Sequence, residues 1–428
     1  MASEIYLCLT SCVDLGEKFQ GKGVSTMANE NLGNAKTAKN DEFYTQYHDI
    51  EKETNAYLEY DPDVFKGKTV LLPCDDPEWS NFTKFFAQKF QDLGLKKLIS
   101  TSYAANSKPR DIPYQPTLFE MGNDKYDESK TQANGKIFTL TEDKTGDGVI
   151  NVEDLEWTYL EGDGDFRSDE IKKLRDEADM IITNPPFSIF REFLGWLTER
   201  DKDFLIIGNM NAITYKEVFP LIMGNKMWLG ATGNGTDMVF RVPPGFEVAE
   251  KDRAKAEKLG YVGDYTRLGN SCWFTTFDHG RRHEPLALMT ESENVKFSRY
   301  QGIKEFGYQK YDNYEAIEVP RVEAIPSDHE GVMGVPISYL SKYNPDQFEI
   351  LGATQRGCHD LVPDTKKYDD YKEMRPNGTP TGSSGGKTNE NANLVGNDGK
   401  KNYFINDKGH IIQSAYQRIF IKHKKVNK

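Results

Sequence analysis

Long apolar runs are absent from this 428-residue chain. No segment approaches the ~18 consecutive apolar residues of a membrane-spanning helix, so no membrane association is expected. Cysteine is scarce. The five residues Cys8, Cys12, Cys74, Cys272 and Cys358 are odd in number and scattered, which suits reduced thiols in a cytoplasm better than a disulfide frame. Cys8 and Cys12 lack a second ligand pair, so a zinc site is not expected. The apolar stretch from Ile5 to Leu9 follows Glu4 and has no basic flank, so it does not read as a secretion signal. Positive charge is in deficit as well, with 54 lysines and arginines against 67 acidic residues and a formal net charge of -13. That balance weighs mildly against nucleic acid as a partner, but phosphate contacts need only a local basic surface. Basic residues do cluster, at Arg281-Arg282-His283 and at Lys422-His423-Lys424-Lys425.

Residues 1–38 are rich in Gly, Asn, Ser and Thr and read as a loosely ordered extension. From Asn40 an alternation of strand and helix patterns begins, which argues for an α/β domain with a mostly parallel sheet over about 39–230. Thr69 to Pro73, Lys97 to Ser102, Met180 to Thr183, Phe204 to Ile207 and Lys226 to Leu229 read as strands. Ser80 is placed to cap a helix with Phe82, Phe85, Phe86, Phe90 and Leu93 on one face, Ser188 to cap the next, and Tyr215 to Met223 reads as a third. A pattern-poor insertion, about 103–160, is expected to hold a hairpin and loops. A second, irregular domain is expected over 231–375, a flexible loop over 376–400, and a terminal strand (Gln417 to Ile421) with a basic tail over 401–428.

The most informative stretch is Asp179-Met-Ile-Ile-Thr-Asn184-Pro185-Pro186-Phe187, where a buried strand ends in an amide, two prolines and an aromatic ring. An exocyclic amine of adenine or cytosine is a poor nucleophile because its lone pair is delocalised. Methylating it is a matter of positioning and charge management. The Asn184 side-chain oxygen and the Pro185 carbonyl can accept the two amine hydrogens, Pro186 stiffens the loop, and Phe187 can stack on a base swung out of a duplex. The plainer alternative is an Asn-Pro turn with Phe187 in a core. Ligands of open parallel sheets bind beyond the carboxyl ends of the strands. Asp75 and Asp76 follow the first strand, and Asp165-Phe166 precedes a helical segment. Carboxylates there suit the donor groups of S-adenosylmethionine, and Phe166 suits its adenine face.

Several strings in fixed order closely resemble the EcoRI-type DNA adenine-N6 methyltransferases. They are Asn40-Asp41-Glu42-Phe43-Tyr44-Thr45-Gln46-Tyr47, Cys74-Asp75-Asp76-Pro77 with Ser80-Asn81-Phe82, Gly162-Asp163-Gly164-Asp165-Phe166-Arg167-Ser168, and Asn184 to Phe187. Ile213 to Phe219, Lys310 to Tyr314 and Gly331 to Pro336 continue the resemblance, which covers about 39–350 plus the last strand. It implies a Rossmann-like methyltransferase sheet, S-adenosylmethionine as cofactor, a flipped-out adenine in double-stranded DNA, and a C-terminal target-recognition region. A cognate restriction endonuclease is a candidate partner. By the same resemblance Tyr44 and Thr45 would flank the methionine part of the cofactor, Asp75 and Asp76 would sit near its amino acid or ribose and Asp165 near its adenine, and Asp41 would be a further cofactor-binding residue.

Two features depart from the broader methyltransferase pattern. The turn after the first strand, Asp75 to Ser80, contains no glycine, and Ser102-Tyr103 stands where a ribose-binding carboxylate usually closes the second strand. Asp143 to Asp154 carries oxygen side chains at the spacing of a calcium loop, although the flanking Lys136 to Leu140 reads as a strand, so an acidic hairpin turn is the expectation and no metal. Methylation of RNA or of a protein glutamine, and a catalytically inactive DNA-binding relative, are the alternative functions.

Overall fold

A computed structural model describes residues 43–77, 79–104, 125–232, 238–242, 246–354 and 366–424. The first eleven strands are β1 (Tyr44–Thr45), β2 (Thr69–Leu72), β3 (Lys97–Ser102), β4 (Lys136–Leu140), β5 (Glu156–Tyr159), β6 (Met180–Thr183), β7 (Asp203–Asn209), β8 (Trp228–Leu229), β9 (Met238–Arg241), β10 (Tyr265–Leu268) and β11 (Ser271–Thr275). Eight form one mixed sheet in the order β5-β4-β3-β2-β6-β7-β11-β8. Its centre, β3-β2-β6-β7, is parallel, and both flanks are antiparallel. β2 and β6 are buried at every position, which explains why all their residues but Thr69 and Thr183 are apolar, since helices cover both faces of such a strand.

The Ser80 hydroxyl accepts from the Phe82 amide and starts the helix Asn81–Gln88, which buries Phe82, Phe85 and Phe86. Phe90 and Leu93 are buried too, but in the turns that follow this helix. Ser188 does not cap the next helix. The Ile189 amide donates to the Pro186 carbonyl, so Phe187–Ile189 winds as a tighter 3-10 turn and the α-helix runs Phe190–Thr198. The expected helix from Tyr215 shortens to Phe219–Met223, because Pro220 has no N–H to donate and is tolerated only in a first turn.

Residue 230 does not end the sheet. β11 inserts between β7 and β8, with Trp273 opposite Ile207, and β9 and β10 join β1 in a separate three-stranded sheet. Beyond them lie β12 (Ala316–Glu318), β13 (Val332–Pro336), β14 (Phe348–Ala353), β15 (Tyr371–Met374), β16 (Pro380–Ser384), β17 (Asn393–Val395), β18 (Tyr403–Asn406), β19 (Ile411–Ser414) and β20 (Arg418–His423). They form two ordered sheets, β12-β13-β20-β14 and β16-β15-β18-β19-β17, where the sequence suggests irregular structure. The stretch expected as a flexible loop, 376–400, supplies β16 and β17. β16 is exposed at alternate positions, so its polar composition hides a strand that no core demands. The expected terminal strand is present as β20, inside the four-stranded sheet. One apolar cluster runs from Phe190, Ile206 and Phe274 into Met333, Ile350 and Ile421, so this sheet shares its core with the central one.

Candidate active site

β2 has β3 on one side and β6 on the other, so the chain changes direction across the sheet at this strand and opens a crevice at its carboxyl end. Ladder pairing between β2 and β6 runs only to Leu71 and Ile181. The turn that glycine often makes here is made by Cys74, held at φ 66° with its amide donating to Thr101 Oγ1 at 3.1 Å. That turn sends Asp75 inward. Its Oδ1 accepts from Ser80 Oγ at 2.6 Å, its Oδ2 from Thr183 Oγ1 at 2.6 Å, and its carbonyl from Thr83 Oγ1 at 2.6 Å and from the Ser100 hydroxyl. Burial pushes the Asp75 carboxyl up to about 7. Asp76 is half-buried, and its carbonyl accepts from the Ser80 amide at 2.7 Å.

β1 closes one side of the crevice. The Asn81 amide donates to the Thr45 carbonyl at 2.7 Å, and Tyr44 stacks on Trp79 with ring centroids 6.2 Å apart. Asn184 Nδ2 donates to the Phe43 carbonyl at 2.6 Å. Because a carbonyl can only be faced by a donor, this bond fixes the amide's orientation and turns Oδ1 the other way. Asn184 Oδ1 is buried without a hydrogen-bond partner, and so is Thr45 Oγ1. An unmet buried acceptor costs about 1–3 kcal/mol, which a ligand donor can recover. Beside Asn184, Pro185 is buried and Pro186 and Phe187 are half-buried, with the Phe187 ring 5.9 Å from Phe43.

The chain matches the family described as "Adenine-specific methyltransferase EcoRI" over residues 31–424. It belongs to that family. Among its relatives it is 42% identical to the type II methyltransferase M.EcoRI of Escherichia coli, over 76% of this chain and 89% of that protein. It is 34% identical to the type II methyltransferase M.MpnI of Mycoplasma pneumoniae, over 74% of this chain and 83% of the relative. No solved structure matches it significantly.

In this EcoRI-family methyltransferase the loop 162–168 lies against the end of β3. Gly164, at φ 90°, passes so close that an added Cβ would stand 2.4 Å from the Ser102 carbonyl, and the Ala104 amide donates to the Asp163 carbonyl at 2.8 Å. Asp165 reaches the crevice but pairs with Arg167, whose Nε lies 2.8 Å from Oδ1, and these hydrogen bonds hold its carboxyl below the usual carboxylate range. Tyr103, in the position of the missing carboxylate, hydrogen-bonds Cys74 and lies near Asp165, with its phenol pushed well up, first by burial. Phe166 departs from expectation. Its ring is 2% exposed and packs edge-on against Phe193 and Trp196, because the apolar core competes for it more strongly than an open crevice does. Asp41 lies outside the described residues.

The strings at 43–47, 74–82, 162–168 and 184–187 therefore meet at the carboxyl ends of β2, β3 and β6, with three contributors that are not among the candidate site residues: the Phe43 carbonyl, Asn81 and Thr183. Thr183 had a signal, as the one polar residue in an otherwise apolar strand. The basic cluster at 281–283 is used internally. Arg281 donates to the Ala231 carbonyl, Arg282 packs over Trp228 and pairs with Asp278, and His283 bridges Asp278 and Asp346. In the β4–β5 hairpin Asp143 accepts from the Gly146 and Gly148 amides, and Asp154 from those of Lys144, Thr145 and Asn151. Those carboxylates hold the turn. Among the described residues no helix is long and apolar enough to cross a membrane, and no acidic, His or Cys group is gathered to hold a metal ion.

Proposed function

We propose that the chain methylates N6 of an adenine swung out of duplex DNA at a specific sequence, with S-adenosylmethionine as methyl donor. One observation carries this reading: Asn184 Oδ1 is buried, unpartnered and turned away from the Phe43 carbonyl by the bond at the other end of its amide. The adenine amine supplies the donor that this oxygen lacks. With one hydrogen accepted by Asn184 Oδ1 and the second by the Pro185 carbonyl, the nitrogen pyramidalises and its lone pair is freed for attack. Phe187 stacks on the extruded base, which recovers part of the unstacking energy.

S-adenosylmethionine, when bound, supplies a sulfonium-activated methyl group. The residues at the crevice fit it: Thr45 Oγ1 is a buried acceptor without a partner, Tyr44 lies beside it, and Asp76 and Asp165 offer carboxylates to ammonium, hydroxyl and amine donors. Phe166 is left out of this set because its ring is in the core. DNA recognition is assigned to the region after residue 231, including the two C-terminal sheets. The naming of the relatives as type II methyltransferases supports pairing with an endonuclease of the same specificity, and the few scattered cysteines suit a cytoplasmic enzyme.

The test is to incubate the purified chain with labelled S-adenosylmethionine and a sequence-diverse duplex library, then to map the product by mass spectrometry and sequencing. N6-methyladenine at one short motif is expected. If cofactor binds but no adenine is methylated, or if RNA is methylated in preference, the reading is wrong.

A further inference from the structure

The geometry points to Asp75 as a positioning residue that fixes the Asn184 loop against the turn after β2, a role separate from holding the cofactor. The inference rests on the proposed methyl transfer. It begins from the end of the ladder between β2 and β6, which pairs no further than Leu71 and Ile181. Two residues later on β6, the crossing is continued by side chains. The Thr183 hydroxyl lies 2.6 Å from Asp75 Oδ2 and 3.1 Å from the Pro73 carbonyl, so it touches both arms of the turn that follows β2.

Asp75 also reaches the third wall of the crevice. Its Oδ1 receives the hydroxyl of Ser80, the cap of the helix Asn81–Gln88, and Asn81 on that helix holds the Thr45 carbonyl of β1. One carboxylate, 7% exposed, thus joins the β2 turn, the helix start and the strand that ends one residue before Asn184. Its two oxygens each accept a hydroxyl from a separate wall, Ser80 on one and Thr183 on the other, as expected for a strut. A reacting geometry misplaced by ~1 Å costs about 100-fold in rate, so a strut between the two loops bears on turnover even though it does not touch the amine.

The experiment compares Thr183→Val, which removes the donor at nearly constant volume, with Thr183→Ser, which keeps it, and adds Asp75→Ala. Each is measured for S-adenosylmethionine affinity by calorimetry without DNA and for single-turnover methylation at saturating cofactor and DNA. Thr183→Val and Asp75→Ala should slow the single turnover about 10- to 100-fold. Their cofactor Kd should stay within about threefold, and Thr183→Ser should keep the rate within about threefold, both differences below ~0.7 kcal/mol. Asp75→Ala that weakens the cofactor more than about tenfold while leaving the saturated rate intact would assign Asp75 to the cofactor instead. A Thr183→Val enzyme as fast as the unaltered chain would also overturn the role. If Asp75→Ala fails to fold, Thr183→Val decides alone. If the unaltered chain methylates no duplex, the proposed reaction fails on its own account, and the calorimetric affinity of the Asp75 variant still decides whether Asp75 holds the cofactor.

Discussion

Asn184 Nδ2 donates to the carbonyl of Phe43 at 2.6 Å, across a sequence separation that ties the Asn184 loop to the residue just before the two-residue strand β1. The bond has a chemical polarity. Only an amide satisfies it while leaving an oxygen facing the other way, so Asn184→Ala should lower the single-turnover rate by about 10²–10³, the usual loss for one acceptor or donor at a transition state. Cofactor and DNA affinity should change little. Asn184→Asp should be comparably slow, since a carboxylate cannot donate to Phe43. An aspartate variant with near-normal turnover would show that orientation by Phe43 is unimportant.

Phe187 is half-buried against Phe43, which itself packs on Phe240 and Phe246. Replacing it with alanine removes a stacking wall of about 1–3 kcal/mol, so kcat/KM should fall roughly 5- to 150-fold. Phe187→Tyr should retain most of the activity. A fluorescent base analogue at the target position reports the extruded state directly. Its signal on binding should shrink for the alanine variant and persist for tyrosine.

Burial raises the Asp75 carboxyl from 3.8 to about 7 in the folded chain. The folded state therefore holds a proton that the unfolded chain has released between those values. The favourable contribution is complete below the unfolded value and is lost as pH rises through the folded one. Urea unfolding at pH 5 and pH 8 should show the unaltered protein losing more stability with rising pH than Asp75→Asn does. Equal pH dependence in both would refute the assignment.

Glu53, on the helix Tyr47–Tyr60, is buried and accepts from the Ala231 and Thr232 amides, both at 2.7 Å, and from Tyr57 Oη at 2.5 Å. Gly230 lies so close that a Cβ there would meet Glu53 Oε1 at 2.2 Å. Glu53→Ala strands two amide donors and should cost about 2–4 kcal/mol, read as a lower urea midpoint at unchanged slope. Glu53→Gln should destabilise as well, because its NH2 must face one of the two amide donors. Gly230→Ala should destabilise through the same contact.

The bounds of β3 and β6 were legible to the residue: Met180 to Ile182 is an apolar run before a polar turn, as a strand buried on both faces is written, and β3 sets Leu98 and Ile99 among small and β-branched residues that suit a strand. Ser80 was legible as a cap for the equally local reason that its hydroxyl serves an amide two residues on. Side-chain direction was not legible. Asp75 points inward because Cys74 takes a left-handed turn that its residue type does not announce, and the Phe166 ring lies against residues of the helix Phe190–Thr198, which local pattern cannot report. After residue 230 the difficulty was different, since a polar edge strand such as β16 carries little apolar alternation and is ordered by its ladder with the neighbouring β15 and not by a core.

The placement of β11 sets an order of events during synthesis. β7 and β8 do not pair with each other; each pairs with β11, and β1 waits for Phe240 and Arg241 before it has a ladder. A ribosome that has finished β8 has therefore released most of the crevice residues without the strands that hold them, and β7 is left as a bare apolar edge. Such edges recruit other chains. Fragments ending between β8 and β11 should accumulate as aggregates, and the segment bearing Asn184 should not be recoverable as a folded half on its own.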